Sequence, residues 1–120
     1  MNLLDFIPSD NEKIVTRQNL AKLTGYADRC NRKKIDILRI KGHNIISPPG
    51  GGYKITTDID EMEQFLKSID SRMTSMYLTY LPMRKLVASA RGIKIANVRQ
   101  HFRRLGVDVV DNQVSMFGGD

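Results

Sequence analysis

Apolar positions along this chain recur first at the three- and four-residue spacing of helices, then as β-branched pairs around a glycine cluster, then at helical spacing again. The opening LLDFI, closed by Pro8 and the polar run at 9–13, predicts a short apolar helix or docking segment that caps the core. Leu20 and Leu23 predict a helix over 17–24, with Thr16 as N-cap and Gly25 as stop. Asp28 is the next N-cap candidate. It opens a helix over 28–41 whose Ile35 and Leu38 face inward and which leaves through Gly42. Only Gly25, Tyr26 and Ala27 separate the two helices, the spacing of a helix-turn-helix rather than of a long antiparallel hairpin.

Residues 44–47 and 53–56 are rich in Ile, Thr and Tyr and flank Pro48, Pro49 and Gly50 to Gly52, which predicts a small β-hairpin. Asp58 caps a helix over 59–80. Its stripe Met62, Phe65, Leu66, Ile69 and Met73 reads as core or subunit interface, and Pro82 ends or kinks the helix. Beyond it, 84–90 and 96–105 read as helical around a break at Gly92, and 107–110 and 113–117 as short strands around Asp111 and Asn112. Setting Gly25 against Gly92 aligns Asn31 with Val98, Ile35 with Phe102 and Leu38 with Leu105. The second half is therefore either a second helix-turn-helix-like unit or a segment of merely similar order. The expected class is mainly α with a small β-hairpin (α+β), divided into 1–57, a connecting helix at 58–81, and a helical and hairpin segment at 82–120.

Composition narrows the chemistry. A chain of 120 residues with 41% hydrophobic and 27% charged residues has the makings of a globular core. Its net charge of +6 points to a polyanionic partner. Residues 1–57 carry 10 Lys and Arg against 5 acids, 58–72 carry 2 against 5, and 73–120 carry 7 against 3, so two basic blocks flank an acidic stretch. The single cysteine, Cys30, lies among Lys and Arg and fits a reducing, cytoplasmic compartment. No run approaches the roughly 20 apolar residues of a membrane span, and the start shows no targeting pattern, so no membrane partner is expected.

The order helix, glycine turn, basic helix, glycine and two-stranded hairpin, carried by LAKLTG, a capped basic helix and KGHNII...GGGYKI over about residues 13–57, resembles the winged helix-turn-helix family of bacterial and phage regulators. The resemblance implies that the second helix enters the major groove and the hairpin, or wing, lies beside it on the phosphates or in the minor groove. With Ile35 and Leu38 inward, Arg29, Arg32, Lys33 and Asp36 face outward. Arg29 and Arg32 are then the candidates for reading guanine edges, and Lys33 for phosphate. Lys54 reads as a phosphate contact or a solvated lysine at the wing edge, Tyr53 as core, and Arg39 and Lys41 as helix C-terminal cations. Asn31 and Lys34 depart from the apolar residues the family often carries there, and Cys30 is expected to supply the missing contact. Arg99, Arg103 and Arg104, with Lys94 and His101, form a second basic surface that is either a DNA contact or a solvated face.

The function these readings predict is sequence-specific binding of double-stranded DNA, as a transcriptional regulator or replication accessory, with a homodimer through the long helix. The alternative is a phage-type interaction protein whose winged-helix or C-terminal basic face inhibits or recruits a host nucleic-acid-processing complex. No catalytic constellation, P-loop or dinucleotide fingerprint is visible, one thiol and two distant histidines make no zinc site, and neither enzyme activity nor a cofactor or metal is expected.

Overall fold

The computed structural model describes residues 2–9, 13–104 and 106. Its elements run from a 3-10 helix, Leu3–Phe6, through α1 (Arg17–Thr24), α2 (Asp28–Ile40), β1 (Ile45–Ile46), β2 (Lys54–Ile55) and α3 (Ile59–Arg91) to α4 (Val98–Arg104). The described chain is mainly helical with one small antiparallel hairpin, and it divides into two compact units, Met1–Phe65 and Leu66–Asp120. The hairpin expected over 107–117 lies outside the described residues.

In the first unit the local signals act as their chemistry dictates. The Thr16 hydroxyl accepts from the Asn19 amide at 3.1 Å, and Gly25, at φ 75°, closes α1 by donating to the Ala21 carbonyl. Asp28, however, is not the N-cap of α2. Ala27 is, with no side-chain acceptor to offer, and Asp28 is the first helical residue, its carboxylate bound by Arg17. The opening segment docks as expected: Leu3 and Ile7 join Val15, Leu20, Ile35, Ile45 and Tyr53 in one buried cluster. Tyr53 is therefore core.

The hairpin pairs Ile45 with Ile55 and Ile46 with Lys54, and an isolated antiparallel bridge joins Val15, two residues ahead of α1, to Tyr53. Val15 and Tyr53 exchange both backbone hydrogen bonds, at 3.0 and 2.9 Å, so the start of α1 and the far arm of the hairpin are fixed to one another. This approach requires a glycine at 52. A Cβ there would stand 2.8 Å from the Val15 carbonyl oxygen, whereas at Gly51 it would meet open space, although both have positive φ. Gly51→Ala is expected to cost about 1–2 kcal/mol, the left-handed backbone penalty alone. Gly52→Ala is expected to cost distinctly more in urea unfolding, and equal losses would contradict the close approach.

The second unit corrects two expectations. Pro82 does not end the helix: α3 runs on as one element of 33 residues to Arg91, so 59–80 and 84–90 are one helix. Gly92, at φ 65°, then terminates it, with the Ile93 amide donating to the Ala88 carbonyl at 2.8 Å. Nor is the buried face of α3 in this unit the stripe that ends in Leu66, Ile69 and Met73. The buried residues are Thr74, Leu78, Leu81 and Ala88, and Leu78 and Leu81 cluster with Val98 and Phe102 of α4 beside the half-buried Tyr77. The final helix begins at Val98 rather than Ala96, because the Asn97 side chain accepts from the Gln100 amide at 2.9 Å.

Candidate nucleic-acid interface

α2 lies on the first unit through one face and exposes the other. Asn31 and Ile35 are buried and Leu38 half-buried, which places Arg29, Arg32, Lys33, Asp36 and Ile40 together on the outward side at spacings of three and four. Asn31, only 1% exposed, takes the inward position, and Cys30 is exposed, so the expected cysteine contact is corrected. The Asn31 amide donates to the Thr24 hydroxyl at 3.2 Å, and that hydroxyl donates to the Leu20 carbonyl and accepts from the Tyr26 amide. A buried polar side chain thus ties the turn between α1 and α2 to the Thr24 hydroxyl. Lys34 extends over the Tyr26 ring, 3.5 Å from its centroid.

The cations of this unit fall into two groups. In the first, Arg17 grips Asp28 through its Nε, at 3.0 and 3.2 Å, and through a short Nη contact, while the Arg32 Nε lies 3.5 Å from the same carboxylate. Arg39 donates to the Ile45 carbonyl at 2.8 Å, pairs with Asp36 and lies over the Phe65 ring, which fastens α2 to the hairpin. Lys54 corrects the sequence expectation of a wing-edge lysine: its side chain is 7% exposed and its ammonium pairs with Glu61, while the Thr56 hydroxyl donates to the same carboxylate. The second group is exposed and makes no ion pair to a described residue: Arg29 and Lys33 on the outward face of α2, Lys34 over Tyr26, and Lys13, Lys22 and Lys41.

The acidic partners titrate accordingly. The guanidinium of Arg17 holds the Asp28 carboxyl below its ordinary value, and the hydrogen bonds from Lys54 and then Thr56 lower that of Glu61. A carboxyl depressed in the folded state stabilises fully above its unfolded pKa, about 4, and loses that contribution as pH falls through the lower folded value. Urea unfolding at decreasing pH should therefore show a loss of stability beginning near the ordinary carboxyl range. Asp28→Asn should make that loss shallower, and an unchanged pH profile in this variant would remove Asp28 from the account.

In the second unit α4 is basic and exposes Arg99, Arg103 and Arg104, but His101 is half-buried and stacks on Tyr77 with ring centroids 4.4 Å apart. His101 therefore belongs to the packing of this unit rather than to a basic surface. Lys94 is exposed and precedes α4. Among the described residues no group of His, Cys, Asp and Glu is placed to hold a metal ion, and no helix is long and apolar enough to cross a membrane. No protein-family model matches this chain, and neither the curated proteins nor the solved structures compared with it give a match.

Proposed function

We propose that the first unit binds double-stranded DNA as a winged helix-turn-helix, with α2 as the recognition helix and the hairpin as the wing, in a transcriptional regulator or replication accessory. The observation that carries this reading is the division of labour on α2. Its inner face is spent on Asn31, Ile35 and Leu38, its flank is tied to the hairpin by Arg39, and Arg29 and Lys33 are left exposed near the helix start. Helix-turn-helix proteins present base-reading side chains from that end of the second helix.

In this reading Arg29 pairs with a guanine edge and Lys33 with phosphate. Arg32 exchanges its contact with Asp28 for one with DNA, and Asp36, paired with Arg39, orients rather than contacts. Lys54 leaves the set of DNA contacts, since Glu61 already holds it. Ile40, 86% exposed one turn beyond Asp36, offers an apolar surface to a thymine methyl group. Arg99, Arg103 and Arg104 add backbone contacts from the second unit.

The test is binding of the whole chain to random-sequence duplex by fluorescence anisotropy at several salt concentrations. Binding should weaken with a slope of about −0.9 in log affinity per log salt for each phosphate neutralised. Absence of salt-sensitive binding at low salt would turn the basic face over to a protein partner and end the DNA reading.

A further inference from the structure

The second unit leaves one face of α3 open, and that face carries a regular apolar repeat. Leu66, Met73, Tyr80 and Val87 recur every seven residues, with Ile69, Met76 and Met83 between them, so the intervals run three, four, three, four over three heptads. Met76, Tyr80, Met83 and Val87 are each more than half exposed, at 65%, 53%, 63% and 55%, and Leu66 stands at 55%. α4 packs on a neighbouring flank, through Leu78 and Leu81, and leaves this stripe uncovered. An apolar repeat averaging 3.5 residues fits the seam of a coiled coil, and this one stands exposed while Thr74, Leu78, Leu81 and Ala88 on the other face are covered.

We infer that the exposed heptad stripe of α3 is a self-association seam that pairs antiparallel with α3 of a second copy of this chain. Two observations choose that occupant. A seam of this regularity accepts another helix of the same repeat, knobs into holes, and α3 itself supplies one of matching length. The charges beside the seam also complement each other end to end. Asp70 flanks its N-terminal part and Arg84 and Arg91 its C-terminal part, all at the position that follows the second apolar residue of the heptad; Tyr77 holds that position between them, packed on His101 and Phe102, with the Arg84 guanidinium over its ring.

In an antiparallel pair these positions face one another, so each Asp70 meets arginine from the other copy, twice by symmetry. In a parallel pair Asp70 instead faces the position of Phe65 and gains no cation. Alongside the C-terminal part of the seam, Ile93, Ile95 and Ala96, with His101 and Arg104, form the far wall of a groove of about 620 Å³. Ile93 and Ile95, both exposed, extend the apolar surface that the second helix would cover.

The association is independent of DNA and is measured without it, so its failure and the failure of the DNA reading are separate results. Sedimentation equilibrium of the whole chain over a concentration series should show a monomer–dimer equilibrium. Met76→Glu/Met83→Glu, which alters only exposed side chains, should weaken dimerisation by more than about tenfold, since it buries charge at the seam. Its helical circular dichroism as a monomer should be unchanged, and Lys85→Glu, away from the seam, should leave the dimer intact. Asp70→Arg should weaken the dimer and Asp70→Arg/Arg84→Asp should restore it. A wild type that is monomeric throughout, or a dimer indifferent to the methionine variant, overturns the seam. A charge swap that does not restore association overturns the antiparallel arrangement.

Discussion

Ile35→Ala is expected to destabilise the first unit by about 2–5 kcal/mol, the usual range for emptying a closely packed aliphatic site. Ile35 is fully buried, at 0% exposure, in the one cluster that joins the opening helix, α1, α2 and both hairpin arms. Removing three carbons there loosens every element at once. Domains of this kind hold only about 5–15 kcal/mol in total, so the loss is a large fraction of what keeps α2 seated. Ile40→Ala, five residues along the same helix on its open side, is expected to stay within about 0.5 kcal/mol. Chemical unfolding followed by circular dichroism compares the two. Similar losses at both positions would mean that α2 is rotated from the orientation described, and the assignment of its outward face would fall with it.

Arg29→Ala/Lys33→Ala should leave stability nearly unchanged and strike DNA binding instead. An arginine engaged bidentately with guanine contributes roughly 1–3 kcal/mol of discrimination, and a lysine on phosphate contributes about one unit of salt slope. The double variant should therefore bind a preferred duplex about ten- to a hundredfold more weakly, discriminate less among sequences, and show a shallower dependence on salt. Lys54→Met supplies the contrast. It leaves Glu61 without its ammonium partner, so it should lower stability while the salt slope of the folded protein remains that of the wild type. If Lys54→Met flattened the salt dependence and the Arg29/Lys33 variant did not, the interface would lie on the hairpin and not on α2.

The contrast between these variants reflects what kinds of information the chain carries locally. Thr16 and Gly25 bracket α1 because a hydroxyl cap and a left-handed glycine act within one turn of the helix they bound, and the Pro/Gly run at 48–52 forces a reversal whatever surrounds it. Such effects are legible in order along the chain. So is the inward side of α2, since Ile35 and Leu38 at helical spacing define it without reference to a partner. The charge excess of the first half was equally plain, although which cations remain available was not.

Which cations stay available depends on contacts between elements distant along the chain. Lys54 and Glu61 are seven residues apart across the end of a strand and the start of a helix, and Arg17 and Asp28 eleven apart across two helices. Each pair exists only once those elements have been brought together. Asn31 looked like a misplaced polar residue because its partner, the Thr24 hydroxyl, lies on the other helix of the pair. At Pro82 the local rule was overridden, and α3 continues to Arg91 with Leu78, Leu81 and Ala88 buried on either side of the proline. A proline gives up one amide donor, whereas breaking the helix would have exposed that whole face.

The order of the elements up to the hairpin, the cap and stop of α1 and the net positive charge follow from the sequence, because caps, turns and periodicity are short-range properties, whereas the cap of α2 falls on Ala27, with Asp28 engaged by Arg17. Only the tertiary structure decided which charges are spent inside the molecule and which apolar stripe of α3 is left open. Burial and ion pairing depend on residues that are distant along the chain and adjacent only after folding.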